Sequence, residues 1–415
     1  MSRFAINLHE AVYSLSDALD LVGVTHIHHG KRVAYIAAEI GRCLDWPQAR
    51  MDTLFQAAIL HDSGVSKTQV HSRLAQLEWE YEAEHCQRGA ELVKASPLLS
   101  PLSDCILYHH THWTELQTLP LDDEKKLIAN CIYLADRVDV QCLTRRGEEP
   151  NILLIKDHVR EQVAHARGDW YEPGLADAFM AVSSSEAFWF ALENEHVSGY
   201  VHTWMRSAQT VEIEFAELRS LVHVFSCIVD AKSTFTREHS DGVANLARHI
   251  GHLFGLPERT CDMLELAGLL HDLGKLRVPD ELLDKPSKLD PLEYAAVQRH
   301  SFDTYNILKH IHGFEDIALW AGQHHERVNG TGYPYHLTST QLTREARIVA
   351  VADVFQALAQ NRPYRGALAP EEIARILQEE VKRGKLDAEV VQMVLDNLSS
   401  CWEASLAYSS LASPL

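Results

Sequence analysis

An ordered set of histidines and aspartates occurs twice along the chain. That repeat constrains the fold more than any other feature. His29-Gly-Lys-Arg-Val33-Ala34 returns as His239-Ser-Asp-Gly-Val243-Ala244, 210 residues later. The same offset relates Ile40-Gly41 to Ile250-Gly251, Pro47 to Pro257, and His61-Asp62-Ser-Gly64 to His271-Asp272-Leu-Gly274. His85 then matches His300, and His109-His110 matches His324-His325, at an offset of 215. Ala135-Asp136 falls on Ala352-Asp353 two residues further on. Chance supplies one His-Asp pair easily, but not the same series twice at near-equal spacing. The chain therefore reads as two copies of one domain, 10–190 and 221–395, joined by 191–220 and followed by a tail, 396–415. A length of 415 residues agrees with two domains.

The periodicity is helical. Leu264, Ala267, Gly268 and His271 recur every three to four residues and share one face. Pro257 suits a helix N1 position. Asp290-Pro291-Leu292-Glu293 supplies an N-cap, a proline at N1 and a reciprocal glutamate at N3. Ala369-Pro370-Glu371-Glu372 marks another helix start. Alternating strand patterns and Gly/Ser-rich linkers are not evident. The expectation is an all-α protein of two tandem helical bundles, with the repeated ligands pointing inward and a helix in the connecting segment.

Charge and cysteines bound the function. Lys plus Arg total 38 against 58 for Asp plus Glu, a formal charge of −20. That balance argues against duplex nucleic acid, which needs a basic face. No apolar run is long enough to span a bilayer, and no signal peptide is evident. Eight scattered cysteines without a CxxC pair read as reduced thiols of a cytoplasmic protein.

The C-terminal set, His239, His271, Asp272, His300, His324, His325 and Asp353, is too large for one tetrahedral ion. Imidazole with carboxylate suits iron, manganese, zinc, cobalt or nickel. Seven such groups fit two ions bridged by one carboxylate, most naturally Asp272. A pair of ions can bind a phosphate, generate hydroxide and steady an in-line displacement, so phosphoester hydrolysis is favoured. His249, His252, His310, His312 and His336 stand outside the series and read as ordinary histidines.

His271-Asp272-Leu-Gly-Lys275 resembles the HD-superfamily signature, and His324-His325-Glu326-Arg-Val-Asn-Gly330-Thr-Gly332-Tyr333-Pro334 resembles the HD-GYP signature almost letter for letter. Asp353 and Arg362-Pro363-Tyr364-Arg365 also match. The resemblance covers about 225–395. It implies a phosphodiesterase that linearises a cyclic dinucleotide, cyclic di-GMP or 3′,3′-cyclic GMP-AMP, by attack of metal-activated hydroxide. It implies metal ligation by the seven residues above, with Asp272 and Lys275 catalytic. Lys275, Arg362, Arg365, Gly332 and Tyr333 would bind substrate. Two divalent ions are expected, iron or manganese favoured, with nickel, cobalt and zinc open. A homodimer is also open. The family often has a second Asp three residues after the metal Asp, where this chain has Gln356. Trinuclear members carry a Glu four residues before the first His, where this chain has Phe235; hence two ions and not three. Asn329 stands where Asp is common.

The N-terminal copy keeps His29, His61, Asp62, His85, His109, His110 and Asp136, a candidate second metal site. Yet Lys275 becomes Val65, the loop reads Thr111-His112-Trp113, and Arg-Pro-Tyr-Arg is missing, although Arg145-Arg146 lie nearby. This copy resembles an HD domain without the GYP features. Three readings stay open for it: metal-bound but catalytically weak, an active phosphohydrolase of other specificity, or a metal-free regulatory domain. For the whole chain the alternatives are an HD-type nucleotide phosphohydrolase and a catalytically weak cyclic-dinucleotide sensor. Sequence favours cyclic GMP-AMP only slightly, because the accompanying half is another HD domain.

Overall fold

The computed structural model describes residues 2–22, 28–65, 82–145, 151–232, 237–285, 287–360 and 366–407. Arg362 and Arg365, expected at the substrate, lie outside the described residues. The chain forms two compact units, one of residues 7–210 and one of 1–6 with 211–415. Each is a bundle of helices.

In the second unit, helix Arg237–Leu253 packs on Glu258–Leu270 and on Arg344–Ala359. Helix Pro291–Leu308 packs on Glu315–Gly322 and on the short 3-10 turn Leu273–Arg277. In the first unit the matching helices are His29–Cys43, Gln48–Ile59, Glu82–Lys94, Ser103–Leu107 and Asp123–Arg145. Leu264, Ala267, Gly268 and His271 are all buried, as their spacing requires.

The helix starts follow their capping chemistry. The Asp290 carboxylate accepts from the Leu292 and Glu293 amides at 2.8 and 2.9 Å, and Glu293 accepts from the Asp290 amide at 2.8 Å. Pro370 occupies N1 after Ala369. Pro257 differs: it is the N-cap, with extended backbone, and the helix begins at Glu258.

Two four-residue strands depart from the all-helical expectation. Arg3–Ile6 pairs antiparallel with Val211–Glu214, Arg3 opposite Glu214 and Ile6 opposite Val211. Four residues are too few to give a visible alternation, although Arg3–Ile6 does alternate exposed and buried. The pairing joins the start of the chain to its second unit. Residues 191–220 are accordingly divided: helix Asn194–Met205 lies in the first unit, and the strand leading into helix Phe215–Asp230 lies in the second.

Tight packing behind each His-Asp turn needs glycine. A Cβ on Gly274 would lie 2.1 Å from the His300 carbonyl oxygen, and one on Gly64 would lie 2.0 Å from that of His85. The Gly274 amide also donates to Thr304 Oγ1 at 2.9 Å, and that hydroxyl donates to the His271 carbonyl at 3.1 Å. The turn is thus clamped to the helix that carries the next histidine. Gly274→Ala is expected to destabilise the second unit by about 1–3 kcal/mol, because backbone and not a flexible side chain must move. Urea denaturation followed by circular dichroism checks this; an unchanged midpoint would contradict it.

Candidate metal centre

Helix ends aim the histidines. The last carbonyls of a helix lack intrahelical donors. His271 Nδ1 meets the Gly268 carbonyl at 2.7 Å, and His324 Nδ1 meets that of Ala321 at 2.6 Å. His300 Nδ1 meets the Val297 carbonyl at 2.6 Å. A carbonyl only accepts, so Nδ1 carries the proton and Nε2 keeps its lone pair for the interior. The first unit repeats the device, with His61 Nδ1 on Ala58 at 2.7 Å and His109 Nδ1 on Ile106 at 2.6 Å.

All seven C-terminal candidate ligands converge, in two groups: His239, His271 and Asp353, and His300, His324 and His325. Asp272 lies between them. Its Oδ2 faces His271 Nε2 at 3.3 Å, while its Oδ1 faces His300 Nε2 at 3.5 Å and His324 Nε2 at 3.9 Å. Asp353 Oδ1 faces His239 Nε2 at 3.2 Å and His271 Nε2 at 3.9 Å. Such spacings suit donor atoms that would share an ion, since nitrogen and oxygen ligands stand about 2.0–2.2 Å from a metal of this kind. The His271 Nε2 atom is buried without a hydrogen-bond partner. A buried orphan lone pair inside a nitrogen and oxygen donor set fits a divalent cation.

The electrostatics agree. Burial disfavours the charged forms of Asp272 and Asp353, yet the surrounding imidazoles, with Lys275 at Asp272, hold both carboxyls well below their usual range. Burial lowers His300 to about 4. Burial and neighbouring imidazoles hold His324 and His325 well below the usual histidine range. Burial lowers His239 too, and only at His271 does Asp272 outweigh burial and push the ring up. Neutral rings at His239, His300, His324 and His325 beside ionised carboxylates are in the state that binds metal.

Lys275 Nζ sits 2.5 Å from Asp272 Oδ2, with its side chain 22% exposed. The loop after His325 is anchored by Glu326, a residue that the sequence reading left without a role. Its buried carboxylate accepts from the Tyr335 and Leu337 amides at 2.6 and 2.9 Å. Gly332 passes so close that a Cβ there would lie 2.3 Å from the Arg327 nitrogen. The Tyr333 ring comes to rest 4.8 Å from His325, centroid to centroid, ahead of a cis Tyr333-Pro334 bond. Asn329 does what Asp could not: its Oδ1 accepts from the Thr331 amide at 3.1 Å, while its Nδ2 donates to the Arg383 carbonyl at 3.2 Å.

The N-terminal candidates converge as well. His29 Nε2 lies 3.2 Å from Asp136 Oδ1, and Asp62 directs Oδ2 to His61 and Oδ1 to His85, both at 3.5 Å. Cys86 joins His85, His109 and His110 in one cluster. The surroundings differ from the C-terminal site. His29 Nδ1 donates to Asp139 at 2.8 Å, and Asp139 is held by the buried Arg32 guanidinium at 2.6 and 3.1 Å. Burial opposes a charge on His29, but Asp136 and Asp139 raise it to about 10. The repeat offsets place Gly242 and Gln356 where this half has Arg32 and Asp139. The Gln356 side chain fills the space over Gly242, and His239 Nδ1 has no hydrogen-bond partner. Asp139 stands three residues after Asp136, so reading the Gln356 position in the first copy would have found it.

Comparison with known proteins identifies the family of both halves. Family models described as HD domain match residues 27–141 and 223–390. The 3′3′-cGAMP-specific phosphodiesterase 1 of Vibrio cholerae serotype O1 is 37% identical over 97% of this chain and 95% of its own. A cyclic di-GMP phosphodiesterase of Pseudomonas aeruginosa is 38% identical, but over only 35% of each chain. The crystal structure of a cyclic GMP-AMP specific phosphodiesterase of V. cholerae shares the fold, with a TM-score of 0.65 at 24% identity, covering 96% of this chain and 98% of that one. Two HD halves, the GYP loop and the likeness along nearly the whole chain place this chain in the HD-GYP family of metal-dependent cyclic-dinucleotide phosphodiesterases.

Proposed function

We propose that the C-terminal half linearises 3′,3′-cyclic GMP-AMP in preference to cyclic di-GMP, and that the N-terminal cluster does not cut it. The observation that carries this reading is the pairing of ligands with phosphate-handling groups in one half alone. Lys275 and the Gly330–Pro334 loop stand over the C-terminal donors, whereas Val65 and Thr111-His112-Trp113 replace them in the other half. The substrate preference is supported by likeness along nearly the whole chain, including the accompanying HD half, to a relative named for cyclic GMP-AMP.

His239, His271, Asp353 and Asp272 Oδ2 would hold one ion, and Asp272 Oδ1, His300, His324 and His325 the other, with iron or manganese favoured. Such a pair, when bound, supplies Lewis-acid activation of water and neutralises phosphate charge. The remaining work falls to the protein. Backbone carbonyls orient His271, His300 and His324, so little reorganisation of those rings is needed when substrate arrives. Lys275 is the partly exposed cation beside Asp272. Its ammonium lies within reach of a phosphate seated on the donor groups and offsets charge that grows on the phosphoryl oxygens. Tyr333, held beside His325, supplies an aromatic face for a base or ribose, and burial raises its phenol so that the hydroxyl stays protonated. Glu326 keeps that loop in place. Arg362 and Arg365 would grip the second phosphate through guanidinium forks.

With manganese or iron, purified protein is expected to give linear dinucleotide from cyclic GMP-AMP faster than from cyclic di-GMP. His271→Ala is expected to reduce turnover of both to background. Chromatography of products checks this; equal or reversed preference would defeat the substrate assignment, and wild-type turnover by His271→Ala would defeat the site. A second expectation separates phosphate handling from metal binding. Lys275→Met should lower kcat about 10²–10³-fold with metal content unchanged. Loss of metal together with activity would mean that Lys275 supports the ligands instead.

A further inference from the structure

We propose that Arg137 takes the place of one cation in the N-terminal cluster, so that this half holds a single divalent ion. The inference concerns the half that the proposed function leaves unused. It rests on the HD halves being metal sites, not on the choice of substrate.

Arg137 follows the candidate ligand Asp136 on helix Asp123–Arg145, and its side chain is only 7% exposed. Its Nε donates to Asp136 Oδ2 at 3.0 Å. Its Nη2 lies 3.1 Å from His110 Nδ1. A guanidinium has only donors and does not lose its proton in a protein, so His110 Nδ1 must accept. The remaining proton of the neutral ring then sits on Nε2. One nitrogen of His110 thereby accepts from Arg137 and the other carries the proton, so neither offers a lone pair to a metal. The Tyr133 ring, 5.7 Å from the guanidinium carbon, flanks it.

Among the described residues, the C-terminal half shows no guanidinium bonded to its ligands. Val354 stands at the position of Arg137, and Ala350 at that of Tyr133. Lys275 is partly exposed and its ammonium contacts the Asp272 carboxylate, not a histidine nitrogen. Charge follows the same line. Asp139 is already matched by Arg32, which leaves Asp62 and Asp136 to balance cations. A fixed guanidinium uses part of that balance. The side that stays open is formed by His29, His61 and Asp136 Oδ1, where Oδ1 faces the two imidazoles at 3.2 and 3.9 Å; a divalent ion there would displace the His29 Nε2 proton, while Nδ1 keeps its own on Asp139. The His61 Nε2 atom there is buried without a hydrogen-bond partner.

The test uses the full chain carrying His271→Ala, Asp272→Ala and His324→Ala, so that only the N-terminal cluster can load. Manganese is added and loose ion removed by gel filtration. The expected result is one manganese per chain by elemental analysis, with the paramagnetic resonance of an isolated ion. Adding Arg137→Val should bring a second ion and a spin-coupled signal. Two coupled ions in the parent, no ion in the parent, or no gain in a folded Arg137→Val chain would each overturn the proposal. Cobalt loading of the parent guards against misfolding of that variant. It should show no sulfur-to-cobalt charge-transfer band; such a band would put the ion on Cys86, on the side assigned to Arg137, and overturn it equally.

Discussion

One carboxylate with two differently directed oxygens organises the C-terminal site. Asp272 sends Oδ2 toward His271 and Oδ1 toward His300 and His324. Both groups of donors depend on that division, and the division depends on the turn. His271 ends a helix and uses its last carbonyls, Asp272 follows it, and Gly274 lets the turn lie against the backbone of the helix carrying His300. A bulkier residue at Gly274 would move the third histidine as well as the turn. The Leu-Gly between His-Asp and Lys275 is therefore part of the metal site, although it touches no ligand atom.

The two halves show what a donor set does and does not determine. Asp62 divides its oxygens between His61 and His85 just as Asp272 divides them. What differs is the next layer of charge. In the N-terminal half, Arg32, Asp139 and Arg137 form a buried polar frame around the ligands. In the C-terminal half, Gly242, Gln356 and Val354 stand at those positions. Against burial, Asp136 and Asp139 raise His29, whereas burial lowers His239. Similar donors thus stand in opposite electrostatic settings. Buried charges of this kind are costly unless paired, which explains why Arg32 and Asp139 are present or absent together.

Much of this was legible in the sequence. The repeat of His and Asp residues marked two copies of one domain and the histidines and aspartates that converge in each, because both copies carry the same donors at matching offsets; Cys86, which joins the N-terminal cluster, falls outside that series. The capping box at Asp290-Pro-Leu-Glu293 and the proline at 370 marked helix starts by local chemistry alone. The strands at Arg3–Ile6 and Val211–Glu214 were hidden, since a four-residue pairing between residues about 200 apart leaves no local signature. Glu326 read as one letter of a motif, but its role is to accept two loop amides. Arg137 was invisible for a different reason. A lone Arg after an Asp looks like an ordinary exposed charge, and only burial beside His110 gives it meaning.

The central claim is that equal donor sets have unequal work, with cutting confined to the half that also handles phosphate. The most direct measurement is the rate of cyclic GMP-AMP linearisation by full-length Asp62→Ala beside full-length Asp272→Ala, at saturating substrate and metal. The account predicts that Asp62→Ala keeps a turnover within about twofold of wild type while Asp272→Ala falls to background. Loss of turnover in Asp62→Ala with Asp272→Ala still active would contradict it.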